Sequence, residues 1–168
     1  LRRAQYRDAD NSERTLMLAK CCVAAKIQNQ RTVLLRHLRN HPDGEGESDI
    51  RTALAAMENS LNSARNCSDL GVLRGIEGAA AEEYFAVFDY MVLVPGPDFR
   101  FHNRSRRPPM DRINALLSYA YSILALDMRS ALEAVGPDPY VGYLHAERPG
   151  RPSLALDLME EFRAPIAD

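Results

Sequence analysis

The sequence predicts an all-α fold, an irregular bundle of about five to seven helices. Apolar residues recur at spacings of three and four over most of the chain, and no run alternates like a half-buried strand. Proline and glycine gather in a few short breaks. A length of 168 residues suggests one domain with a sizeable core. The composition, 46% hydrophobic and 26% charged, excludes collagen-like and disordered classes. The longest nearly apolar stretch, residues 115–126, is too short to cross a bilayer, which takes about 20 residues.

The chain begins at Leu1-Arg2-Arg3 with neither Met nor a signal-peptide h-region, and reads as a piece of a longer protein. Asp10 with Glu13 forms a D-x-x-E capping box. Leu16, Val23, Ile27, Leu34 and Leu38 follow in a helix of about 28 residues, ended by Asn40, Pro42 and Gly44. Residues 41–49 form a polar loop. Ser48 then caps a second helix whose Ile50, Leu54, Met57, Leu61 and Ala64 bury one face.

Ser68 caps a third helix that runs to about Met91. Gly75 and Gly78 inside it each cost about 1 kcal/mol relative to Ala, and imply close approach of a backbone or ligand. Residues 95–109 make the longest break. Pro108-Pro109 opens a fourth helix that stops at Gly136-Pro137. Residues 140–145 form a turn, and Ser153 caps a last helix over 154–162, stopped by Pro165.

Net charge is −2, unevenly spread. Residues 1–40 carry nine Lys/Arg against three acids, residues 41–99 three against eleven, and the rest balance at nine each. Residues 100–112 hold five Arg, whose paired donors match phosphate oxygens. An acidic middle between basic ends suits a protein that holds a cation and a polyanion together. Cys21, Cys22 and Cys67 show no zinc spacing and read as reduced thiols of a cytoplasmic protein. With Tyr119, Tyr121 and the methionines, Cys21 and Cys22 are expected in the core.

Asp157, Glu160 and Glu161 share one helix face. The Pro/Gly-rich segment 146–152 can fold that helix back onto His145, and Glu77 lies in an apolar, glycine-containing helix. Imidazole and carboxylate on rigid supports make a credible divalent-ion site.

Four segments in order carry a family resemblance. Gly75-Ile76-Glu77-Gly78 through Tyr84-Phe85 is similar to the G-x-E-G-x-x-x-x-x-Y-F segment of the CRISPR adaptation integrases, the metal-dependent endonuclease subunits of the spacer-acquisition complex. Asn103-Arg104-Ser105-Arg106-Arg107-Pro108-Pro109 through Asn114-Ala115-Leu116-Leu117-Ser118-Tyr119 resembles the family's R-x-P-x-D-x-x-N-A-L-L-S-Y stretch. Gly142-Tyr143-Leu144-His145 is similar to its G-x-x-H, and residues 153–163 resemble its S-L-x-x-D-[LI]-x-[ED]-x-[FL]-R helix. Leu18-Ala19-Lys20, Lys26-Ile27 and Asn29-Gln30-Arg31 extend the likeness into the first long helix.

The resemblance implies a catalytic helical domain over 11–168, with 1–10 as the remnant of a linker from an N-terminal β-domain. It implies Mg²⁺ or Mn²⁺ held by Glu77, His145 and Glu160, with Asp157 as a further ligand or tuning group. Arg104, Arg106 and Arg107 would hold double-stranded or branched DNA, with Asn103, Arg112 and Asn114 as weaker candidates. The implied enzyme inserts captured foreign DNA as spacers into a CRISPR array by 3′-OH attack on the repeat backbone. It would be a prokaryotic, cytoplasmic hydrolase of ester bonds, homodimeric at full length and working with a small CRISPR-associated partner.

Two other readings compete. Arg36 and His41 match the R-x4-H motif of HEPN-type ribonucleases, which need no metal. A helical DNA-binding scaffold without chemistry would also explain the arginines, but it leaves the order of the acidic and histidine motifs accidental.

Overall fold

The computed structural model describes residues 1–94 and 96–168; Pro95, the first residue of the 95–109 break, lies outside them. Among the described residues six α-helices occur in chain order: α1 Arg2–Ala9, α2 Ser12–Asn40, α3 Glu47–Asn66, α4 Leu70–Ala86, α5 Arg112–Val135 and α6 Ser153–Ile166. Short 3₁₀ turns at Phe88–Met91 and Pro97–Phe99 lie between α4 and α5, and no strand occurs among the described residues. The all-α bundle is as the periodicity predicts.

The axis of the bundle is α2, about 44 Å long at 1.5 Å per residue. Helices α3, α4 and α6 pack around it, and α5 packs on α6. Val23, Ile27 and Leu34 of α2 meet Ile50, Met57 and Leu61 of α3 and Leu73 and Tyr84 of α4 in one core. Each such large apolar side chain contributes about 1.5–3 kcal/mol by leaving water. Leu132, Leu154 and Ala155 form a second cluster that joins α5 to α6.

Several helix starts differ from expectation. Asn11, not Asp10, caps α2, its side chain accepting from Arg14 N at 3.0 Å. Gly46 stands at the α3 N-cap, in the left-handed region at φ 79°, in place of Ser48. Asp69 replaces Ser68 at α4, and Asp111 replaces the Pro108-Pro109 start at α5. In each of the three side-chain caps a short Asp or Asn reaches the free backbone N–H three residues on. Pro165 lies inside α6 rather than ending it. Tyr119 is 68% exposed and Cys21 is on the surface, so neither is core, whereas Tyr121 and Tyr84 are buried. Burial pushes the Cys22 thiol up to about 12, leaving it protonated and unreactive.

Residues 1–10, expected as a linker, form a docked helix. Buried Gln5 donates through Nε2 to Asp138 O (2.7 Å) and Val141 O (2.9 Å), and its Oε1 accepts from Asp138 N (2.8 Å). Gln5→Ala is therefore expected to cost about 2 kcal/mol, because it strands three backbone groups. Urea unfolding and hydrogen exchange at α1 measure it; unchanged protection there would show that the contact is idle.

Candidate active site

Three segments bring the sequence motifs together: α4 carries Glu77, the 140–145 turn carries His145, and α6 carries Asp157 and Glu160. The turn lies close on α6. A Cβ on Gly142 would meet Ser153 C at 2.7 Å and Asp157 Oδ2 at 2.8 Å, so the glycine of the G-x-x-H segment permits the approach.

Asp157 is fully buried and organises the turn. Its Oδ2 accepts from Tyr143 N (2.6 Å) and Leu144 N (2.9 Å). Its Oδ1 accepts from His145 N at 2.9 Å and stands 2.7 Å from His145 Nδ1. A carboxylate against Nδ1 holds the proton there and leaves the Nε2 lone pair free to ligate. Nε2 faces Glu160 Oε1 at 3.9 Å.

Glu160 is buried at 3% exposure. Burial raises its carboxyl pKa, but Lys26 and Arg163 outweigh burial and hold it below the usual value. Arg163 Nη1 lies 3.0 Å from Oε1, and Lys26 Nζ lies 2.8 Å from Oε2. The same ammonium pairs with Glu77. Glu77, His145 and Glu160 thus converge, with Lys26 joining the two glutamates. Among the described residues no three Asp, Glu, His or Cys side chains stand in ligand-ready geometry, and the Lys26 ammonium sits at the carboxylate pair.

The donor set nevertheless fits a hard divalent ion. Glu160 Oε2 is buried without a hydrogen-bond partner, the lysine being near but out of alignment. Nε2 has its lone pair available, and Glu77 and His145 keep about a quarter of their side chains exposed. Asp157 is different, since both of its oxygens are already engaged by the backbone and the imidazole of the turn.

The sequence reading named Lys26 only as part of a motif and missed its place at the site. The signal was its position on the packed face of α2, beside Val23, Ile27 and Gln30.

The expected nucleic-acid residues divide. Arg106, Arg107 and Asn103 are exposed, and the two arginines make no side-chain hydrogen bond or ion pair among the described residues. Arg104 Nη1 instead donates to Asn114 Oδ1 at 2.7 Å, and its guanidinium lies over the Tyr121 ring. Asn114 is fully buried. Arg112 pairs with Asp98 at 3.2 Å and lies over Phe99. Gly75 and Gly78 meet no close neighbour; Gly78 lines an open groove of about 480 Å³ with Phe85, His102, Asn103, Arg104 and Arg106.

The rival R-x4-H pair lies elsewhere. His41 follows α2, about 22 Å along the axis from Lys26, where its ring stands 4.9 Å from that of His37 and Arg36 is exposed. No helix among the described residues is long and apolar enough to cross a membrane.

Comparison with known proteins agrees with this architecture. The chain is 49% identical over its whole length to a CRISPR-associated endonuclease Cas1 of Chlorobaculum tepidum, and covers 49% of that relative. The chain spans 49% of the length of this relative and 64% of a CRISPR-associated endonuclease Cas1 of Leptospira interrogans, less than two thirds of either. A casposase bound to integration product superposes with a TM-score of 0.82 at 30% identity, over 99% of this chain and 44% of that one. A Cas6-RT-Cas1–Cas2 complex superposes with a TM-score of 0.81 at 28% identity, over 95% of this chain and 16% of that one. The family model described as CRISPR associated protein Cas1 matches residues 1–168, and the chain belongs to that family.

Proposed function

We propose that this chain is the helical catalytic part of a divalent-metal-dependent DNA endonuclease and integrase that inserts captured DNA into a CRISPR array. The observation that carries the reading is the convergence of Glu77, His145 and Glu160 from three separate segments. The relative described as an endonuclease and the casposase bound to integration product support the same chemistry.

Glu77, Glu160 and Nε2 of His145 would hold Mg²⁺ or Mn²⁺, which supplies a Lewis acid for the attacked phosphodiester. The remaining roles belong to the chain. Asp157 fixes the tautomer and direction of His145, a positioning role consistent with its occupied oxygens. Arg163, with Lys26, stabilises the negative charge of Glu160 and keeps it ionised. Arg106 and Arg107 are free to grip phosphates without reading sequence. The 3′-OH of the incoming strand forms the new P–O bond as the P–O3′ bond of the target strand breaks, so one phosphodiester replaces another. Water in place of the 3′-OH gives a nick. The Cas1–Cas2 complex among the structural relatives supports a small Cas partner, and a homodimer of the longer protein belongs to the same reading.

Nicking and strand transfer on labelled branched double-stranded DNA test the proposal. Activity with Mn²⁺ should stop on chelation. Glu77→Gln should lower the rate about a hundredfold while the helical circular dichroism stays unchanged. Equal rates in mutant and parent would sink the catalytic reading and leave a DNA-binding scaffold.

A further inference from the structure

Two glutamates brought together inside a helical bundle repel one another unless a cation stands beside both. In this chain the cation is Lys26. Its side chain is almost wholly enclosed, it pairs with Glu77, and its Nζ lies 2.8 Å from Glu160 Oε2. The placement is built into α2. Val23 and Ile27, both fully buried, bracket residue 26 on the face packed against α4 and α6, so its stem is enclosed, while Glu77 beside the ammonium keeps a quarter of its side chain exposed.

The Glu160 oxygen facing the ammonium has no aligned hydrogen bond. Lys26 therefore offsets one of the pair's two negative charges without saturating its oxygens. Glu77, Glu160 and Asp157 against Lys26 and Arg163 leave one net negative charge with His145 neutral.

Resting on the metal-site reading above, we propose that Lys26 is a resident cation that occupies the carboxylate pair before a divalent ion arrives and sets that ion's affinity by competing for the same oxygens. An incoming ion must displace the ammonium or share its oxygens, and either weakens binding relative to the bare pair. In return, the ligand carboxylates stay assembled in the metal-free protein instead of springing apart. The unbranched four-carbon stem suits this role, because rotamer changes withdraw the ammonium without moving α2.

The test is Mn²⁺ binding, read from the electron paramagnetic resonance of free Mn²⁺, with thermal melting in its presence and absence. Parent, Lys26→Met, Lys26→Gln and Glu77→Gln are compared. Lys26→Met should bind Mn²⁺ about tenfold more tightly than the parent, melt lower without metal, and gain more on saturation. Lys26→Gln bridges the carboxylates with a neutral amide and should also bind more tightly.

Equal or weaker Mn²⁺ binding by the folded Lys26 variants overturns the proposal. If both variants fold only with Mn²⁺ present, competition is supported; if Mn²⁺ rescues neither, the proposal falls. The Glu77→Gln arm separates the two readings. Parent binding that is insensitive to Glu77→Gln means the metal site itself is misplaced. Binding lost in Glu77→Gln yet not tightened by either Lys26 change removes only the role of Lys26.

Discussion

Asp157→Ala is expected to lower the unfolding free energy by about 3–5 kcal/mol and to abolish nuclease and strand-transfer activity. The carboxylate is fully buried, and three consecutive backbone N–H groups, those of Tyr143, Leu144 and His145, end on it. Truncation strands all three, together with Nδ1 of His145. The turn lies close on α6 here, since a methyl group at Gly142 would meet Ser153 C at 2.7 Å. Asp157→Asn separates charge from shape. The amide keeps the volume and one acceptor, but its NH₂ faces donors, so part of the stability returns while His145 loses the partner that fixes its tautomer. Urea denaturation gives the stability difference, and strand transfer on branched DNA the rate. An Asp157→Ala protein as stable as the parent would mean that the turn is held by something other than these hydrogen bonds.

The helices were legible because their signal is local: a 3.6-residue repeat buries one face whatever it packs against. Their starts were less so. Asp10 and Asn11, or Ser68 and Asp69, are equivalent by composition, and only backbone direction decides which side chain reaches the free N–H. The site showed a similar division. Glu77, His145 and Glu160 were readable from motif order, and the structure brings them within reach of one another. Lys26 was not, because a lysine on an amphipathic helix is ordinarily solvated. Its burial becomes favourable only when carboxylates from α4 and α6 arrive together, a tertiary event with no trace in the local pattern. The arginine loop divides: Arg104 Nη1 donates to Asn114 Oδ1, whose amide donates on to Asn103 and Asp111, whereas Arg106 and Arg107 stay exposed, a difference that residue type alone does not carry.

Asn114→Ala should cost about 3 kcal/mol and weaken DNA binding without removing any DNA-facing charge. Every polar position of the buried amide is used. Oδ1 accepts from Arg104 Nη1 (2.7 Å) and Ser105 N (2.9 Å), while Nδ2 donates to Asn103 O (2.8 Å) and Asp111 Oδ2 (2.6 Å). One side chain on the first turn of α5 thus clamps both ends of the segment that carries Arg106 and Arg107. Asn114→Asp should be no better, since it sets a second carboxylate oxygen against Asp111. Replacing Arg106 and Arg107 together by Ala makes the complementary experiment. Both are exposed, so melting should stay unchanged. The slope of log affinity against log salt should fall by about 0.9 for each phosphate that is no longer neutralised. Asn114→Ala should instead keep most of that slope, because its arginines remain present but are no longer held in register. Parent-like DNA affinity in the double arginine variant would remove the loop from the DNA face. An Asn114→Ala variant that loses stability yet binds DNA normally would show that the clamp serves the fold alone.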